Sequence, residues 1–151
     1  MELQRALILE SFFVESSEGL TQMEQAIREL ETRPEDMELL QGIFRVVHTA
    51  KGNAGILRLP NLLTFAHSLE KLLDEVRKRN LTMTPERVAL LRASLEVLRE
   101  MTSPAGADTD TLSERAKDVL GKICAQLESD RGRTKETFVE GPASAAINDR
   151  K

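Results

Sequence analysis

Apolar residues recur at spacings of three, four and seven along most of this chain, and no stretch alternates apolar with polar residues long enough to make a strand. That period restricts the fold to packed helices. Leu7, Phe12, Phe13, Leu20, Met23, Ile27 and Leu30 mark a first helix from Leu3 to Glu31, stopped by Thr32-Arg33-Pro34. Pro34 suits the first position of a second helix, with Glu35 and Asp36 in the first turn, where carboxylates complement the helix dipole. This helix runs to about Leu57 through Leu40, Ile43, Phe44, Val47 and Ala54, residues placed on its core side. Pro60 opens a third, carrying Leu62, Leu63, Ala66, Leu69, Leu73 and Val76, and Thr84-Pro85-Glu86 opens a fourth with Val88, Leu91, Leu95 and Leu98. Ser103-Pro104-Ala105-Gly106 reads as a loop. Thr111 and Glu114 have capping-box spacing and start a fifth helix through Leu112, Ala116, Val119, Leu120, Ile123 and Leu127. The connections are short, so neighbouring helices are expected to run antiparallel. The predicted fold is all-α, an up-down antiparallel four-helix bundle with a fifth, C-terminal helix.

The pattern stops near Ser129. Arg131-Gly132-Arg133 and Gly141-Pro142-Ala143-Ser144 interrupt it, and the remaining apolar residues are isolated. The expected division is a domain over residues 1–128 and a flexible linker or tail over 129–151. Asn148-Asp149-Arg150-Lys151 has no capping or docking character, which favours a piece of a longer protein.

Several function classes are set aside by composition. A formal charge of -4 over 151 residues supplies no basic surface for nucleic acid. Cys124 is the only cysteine, so there is no internal disulfide and no cysteine-rich metal site; between Ile123 and Ala125 it reads as a buried structural thiol. No run approaches the apolar length of a membrane span, and Met1-Glu2-Leu3 does not open a secretory signal. A cytoplasmic location without membrane insertion is the default expectation. No glycine-rich phosphate loop opens a helix and no magnesium-binding motif is visible, so the domain is not expected to bind nucleotide by itself, and no cofactor is implied.

What remains is concentrated between Phe44 and Arg77. On the second helix His48, Lys51, Gly52 and Gly55 share a face. A glycine in a helix interior costs roughly 1 kcal/mol relative to alanine, so Gly52 and Gly55 require a reason. They either clear a path to the His48 imidazole for a bulky partner or allow close helix packing. On the third helix His67, Glu70, Asp74 and Arg77 form a stripe beside the apolar one. An antiparallel hairpin of these helices could set Glu70 against His48. A carboxylate accepting from one ring nitrogen leaves the other free to attack phosphorus. Lys51 could then neutralise phosphate oxygens. His67 and Glu70 could equally belong to a solvated helix face.

This segment resembles a histidine phosphotransfer (HPt) domain, and is most similar to the N-terminal domain of the chemotaxis histidine kinases of the CheA type. His48, Lys51, Gly52, Gly55, His67, Glu70, Leu73, Asp74 and Arg77 carry the resemblance. His-x-x-Lys-Gly is common to phosphotransfer domains, whereas the later His-x-x-Glu and Leu-Asp-Glu-x-Arg point to the chemotaxis branch. The resemblance implies that His48 is phosphorylated, that Glu70 bonds its ring and that Lys51 and His67 assist. It implies a phosphocarrier within a protein-histidine kinase. The donor would be an ATP-binding kinase domain of the same or a sister protein, and the acceptor an aspartate on the receiver domain of a response regulator. Arg58-Leu59 departs from the glycine-aromatic pair common in the family. Alternatives are a free-standing phosphorelay shuttle, an inert adaptor bundle, and a metal-binding bundle through His48, His67 and Glu70. The last has one His-x-x-Glu where di-metal bundles use repeated Glu-x-x-His.

Overall fold

The computed structural model describes residues 2–107, 109 and 111–140, with side chains described as far as Glu128. Six helices follow in order: α1 (Glu2–Leu30), α2 (Met37–Leu57), α3 (Pro60–Arg77), α4 (Pro85–Met101), α5 (Pro104–Ala107) and α6 (Glu114–Glu140). No strand occurs among the described residues. The first four long helices make the bundle, α2 packing between α1 and α3 and α4 closing against α1 and α3. The fifth long helix, α6, lies on α3 and α4.

The apolar stripes converge on one core. Met23, Ile27 and Leu30 of α1, Leu40, Ile43 and Val47 of α2, Phe65, Leu69, Leu72 and Leu73 of α3, and Leu91, Leu95 and Leu98 of α4 are buried together. The α6 stripe of Ala116, Val119 and Ile123 joins them. Cys124, one position beyond Ile123, is exposed rather than buried. A single helical step carries it off the narrow stripe with which α6 meets the bundle.

The helix ends show local chemistry that spacing alone misassigns. Asp36 is the cap of α2, not a first-turn residue: its carboxylate accepts from the amides of Glu38 and Leu39 at 3.0 and 3.3 Å. Pro34 therefore lies in the preceding turn. At α4 the expected signal holds, with the Thr84 hydroxyl accepting from the Arg87 amide and Pro85 in the first position. For α6 the cap is Ser113, which accepts from the Ala116 amide at 3.1 Å, in place of Thr111. The Ser103–Gly106 loop contains the single turn of α5. Gly106 is required there, because a Cβ would come within 1.8 Å of the Glu100 carbonyl oxygen. α6 continues past Glu128 to Glu140, where the sequence pattern predicts a flexible tail over 129–151, since Ser129 to Glu140 contains no proline and several good helix formers; residues 141–151 of that tail lie outside the described residues.

Among the described residues, two that are not glycine hold left-handed backbone, Arg58 (φ 60°) and Arg79 (φ 66°), each just past a helix C-terminus. Arg58 lets the Leu59 amide turn back onto the Ala54 carbonyl at 2.9 Å, ending α2 and starting α3 one residue later. This tight reversal fixes the register of the α2–α3 hairpin and hence the site.

Candidate functional site

Along the α2–α3 seam the polar residues interlock turn by turn. Gln41 accepts from Arg77 at 3.2 Å at one end, and further along α2 the His48 ring meets Glu70. The Glu70 side chain is only 12% exposed, while Lys51 is 25% and His48 is 62% exposed. Its carboxylate serves two donors, Oε2 facing His48 Nδ1 and Oε1 accepting from Lys51 Nζ at 2.5 Å.

Burial pushes the Glu70 carboxyl up, but hydrogen bonds and positive charge from Lys51 and His48 outweigh it and hold the group below its ordinary value of 4.5. Glu70 is therefore ionised at neutral pH and has only acceptor capacity. The shared proton must sit on His48 Nδ1. In the neutral ring this leaves the lone pair on Nε2, the nitrogen not engaged by Glu70.

The ring face is supported as well as its edge. Phe44, one turn before His48, stacks on the imidazole with ring centroids 5.9 Å apart and planes 9° from parallel. Arg77 lies over Phe44 at 3.9 Å from the ring centroid. Phe44 is thus half-buried at the rim of the core, with its ring beside His48, and only partly fulfils its expected core role. Asp74 accepts from Arg77 at 2.9 Å and pairs with Lys78 at 3.0 Å; the Lys78 bond, opposed by burial and aided by Arg77, keeps its carboxyl below 3.8.

Gly52 and Gly55 are exposed, and a Cβ built on either meets nothing within 4 Å. Close helix packing does not explain them; they leave the surface beside His48 low. His67 is exposed on α3, one turn before Glu70, with no hydrogen-bond partner among the described residues. His48, Lys51 and Glu70 are brought together, and His67 hydrogen-bonds to none of them. Among the described residues no group of three His, Cys, Asp or Glu side chains is placed to hold a metal ion. No described helix is long and apolar enough to cross a membrane. The Phe44–Arg77 platform is the part that periodicity missed. The i, i+4 spacing of Phe44 and His48 was its only signal in the sequence.

The family model described as Hpt domain matches residues 7–101, which span the bundle and the whole of this cluster. The chain belongs to the Hpt domain family. It is similar to the sensor histidine kinase CheAY of Helicobacter pylori, 33% identical over 137 residues that cover 85% of this chain and 17% of that protein. The chemotaxis protein CheA of Halobacterium salinarum is 41% identical over 115 residues, covering 76% of this chain and again 17% of the relative. Among solved structures, the CheA phosphotransferase domain from Thermotoga maritima superposes with a TM-score of 0.60 at 33% identity, covering 63% of this chain and 90% of that one. This Hpt chain thus spans 17% of the length of these two curated relatives, and nearly all of an isolated phosphotransferase domain.

Proposed function

We propose that this Hpt domain carries a phosphoryl group on His48 Nε2 as the phosphotransfer module of a chemotaxis-type histidine kinase. The observation that carries the reading is the Glu70 carboxylate on Nδ1, which directs the lone pair to Nε2 of an exposed ring. A separate ATP-binding domain presents the γ-phosphate. Nε2 attacks phosphorus as the bond to the ADP oxygen breaks, and the Nδ1 proton stays in its bond to Glu70. The positive charge that develops on the ring is balanced by that carboxylate. In the return step an aspartate carboxylate of a receiver domain attacks phosphorus and Nε2 departs as the neutral ring.

In this reading the Lys51 ammonium turns from Glu70 to a phosphoryl oxygen, and the exposed His67, one turn before Glu70 on α3, assists at the rim. Gly52 and Gly55 keep the approach clear for a protein-sized donor. The domain supplies a nucleophile and its orientation; nucleotide binding belongs to the partner.

Incubation with the cognate kinase domain and labelled ATP tests this. The wild type is expected to take up label that is acid-labile and alkali-stable, as a phosphoramidate is, and His48→Gln none. Normal labelling of folded His48→Gln would overturn the assignment.

A further inference from the structure

The chemistry described so far uses one edge of the His48 ring. Its face is used too. A surface histidine held by a single hydrogen bond can still rock about that bond, and rocking swings Nε2 through an arc. A second contact perpendicular to the first removes that freedom. Phe44 supplies it, its ring plane 9° from parallel to the imidazole. Phe44 does not stand alone: the Arg77 guanidinium lies over it at 3.9 Å, and Arg77 is tied to Gln41 of α2 and Asp74 of α3. The platform therefore spans the same two helices as the His48–Glu70 bond, and is set by the same hairpin register.

Resting on the phosphotransfer reading, we propose that Phe44 and Arg77 are positioning residues for His48, fixing the ring plane so that Nε2 is held in line for attack. Neither touches the reacting atoms. Phe44 acts by the flatness of its ring, and Arg77 by holding Phe44 in place. Pre-set orientation of a nucleophile lowers the barrier without changing affinity for the donor.

The test compares Phe44→Leu, Phe44→Tyr and Arg77→Gln with the wild type, using two donors: the kinase domain with ATP, and a small-molecule phosphoramidate that docks on no protein surface. Phe44→Leu is expected to lower the rate with either donor by about tenfold, the loss of a face contact expressed in the barrier. With the kinase domain the loss falls in kcat, and KM for the domain is unchanged. Phe44→Tyr keeps a flat ring and the wild-type rate. Arg77→Gln gives a smaller fall, about threefold. Nitrogen-detected NMR of the His48 ring should show motional averaging in Phe44→Leu and none in Phe44→Tyr, while thermal melts establish that each variant is folded. Equal rates for folded Phe44→Leu and wild type, or a loss confined to KM, overturn this proposal alone. A wild type that takes no label on His48 from either donor overturns the phosphotransfer reading and this one with it.

Discussion

Replacing Glu70 by Gln removes one charge and changes the sign of one hydrogen bond. The wild-type carboxylate accepts from both His48 Nδ1 and Lys51 Nζ. An amide has one oxygen for these two donors. The Lys51 ammonium has no acceptor capacity, so the amide oxygen turns to it and the NH2 group faces His48. A donor opposite Nδ1 forces the ring proton onto Nε2, the nitrogen that attacks in the proposed transfer. Glu70→Gln is therefore expected to be no better than Glu70→Ala, although Gln is the closer isostere. A hydrogen bond to a charged group contributes about 1.5–3 kcal/mol net, and its loss with reversal of the tautomer corresponds to about 10- to 150-fold in rate. Stability should move far less, by about 1 kcal/mol or under, because the His48 and Lys51 side chains are both open to water. Single-turnover phosphorylation by saturating kinase domain gives the rate, the ring nitrogen shifts of His48 give the tautomer, and thermal melts give the stability. A Glu70→Gln protein that is folded and phosphorylates faster than Glu70→Ala, with the proton still on Nδ1, would refute the reasoning.

Arg58→Gly should stabilise the bundle by about 0.5–1 kcal/mol, since glycine relieves the left-handed cost at φ 60° at some expense in unfolded-chain entropy; a Tm below that of the wild type would contradict the cap. Gly52→Ala, with nothing within 4 Å of the new Cβ, should stabilise by about 1 kcal/mol, measured by denaturant melts. Gly52→Leu should slow transfer from the kinase domain yet leave labelling by phosphoramidate intact, and equal slowing with both donors would argue against an approach path. The Glu70 carboxyl is held below its unfolded value, so its contribution to stability is complete above about pH 4.5 and is lost as pH falls through the lower folded value. Acid melts should accordingly show a weaker pH dependence below that point in Glu70→Ala than in the wild type.

The helical period was legible because each stripe faces one core, and the His48–Glu70 meeting followed from an antiparallel hairpin with almost no connecting loop. Features decided by side-chain orientation at a boundary were not legible. Phe44 occupies a rim position from which its ring reaches both the core edge and His48, and a helical wheel has no term for that choice. Cys124 adjoins a buried isoleucine, but α6 touches the bundle along too narrow a strip to cover it. Arg58 gives no left-handed signal because arginine is not a residue that seeks such backbone; the tight α2–α3 reversal imposes it. The caps of α2 and α6 fell on Asp36 and Ser113 because hydroxyl or carboxylate reach to the second and third amides decides a helix start, and neighbouring polar residues compete for that role.

The openness of His48 also bears on time. A phosphoryl group bound to this ring would stand in bulk water, with no lid among the described residues to shelter it. The neighbouring carboxylate, Glu70, is engaged with the Nδ1 side of the ring and so is poorly placed to draw a proton from an approaching water. Loss to hydrolysis would then follow the intrinsic lability of the nitrogen–phosphorus bond, a clock that belongs to the small-molecule chemistry and not to the bundle. How long a signal persists at this station would be governed by how soon an acceptor arrives, so a cell could retune its memory by changing acceptor abundance while leaving this chain untouched.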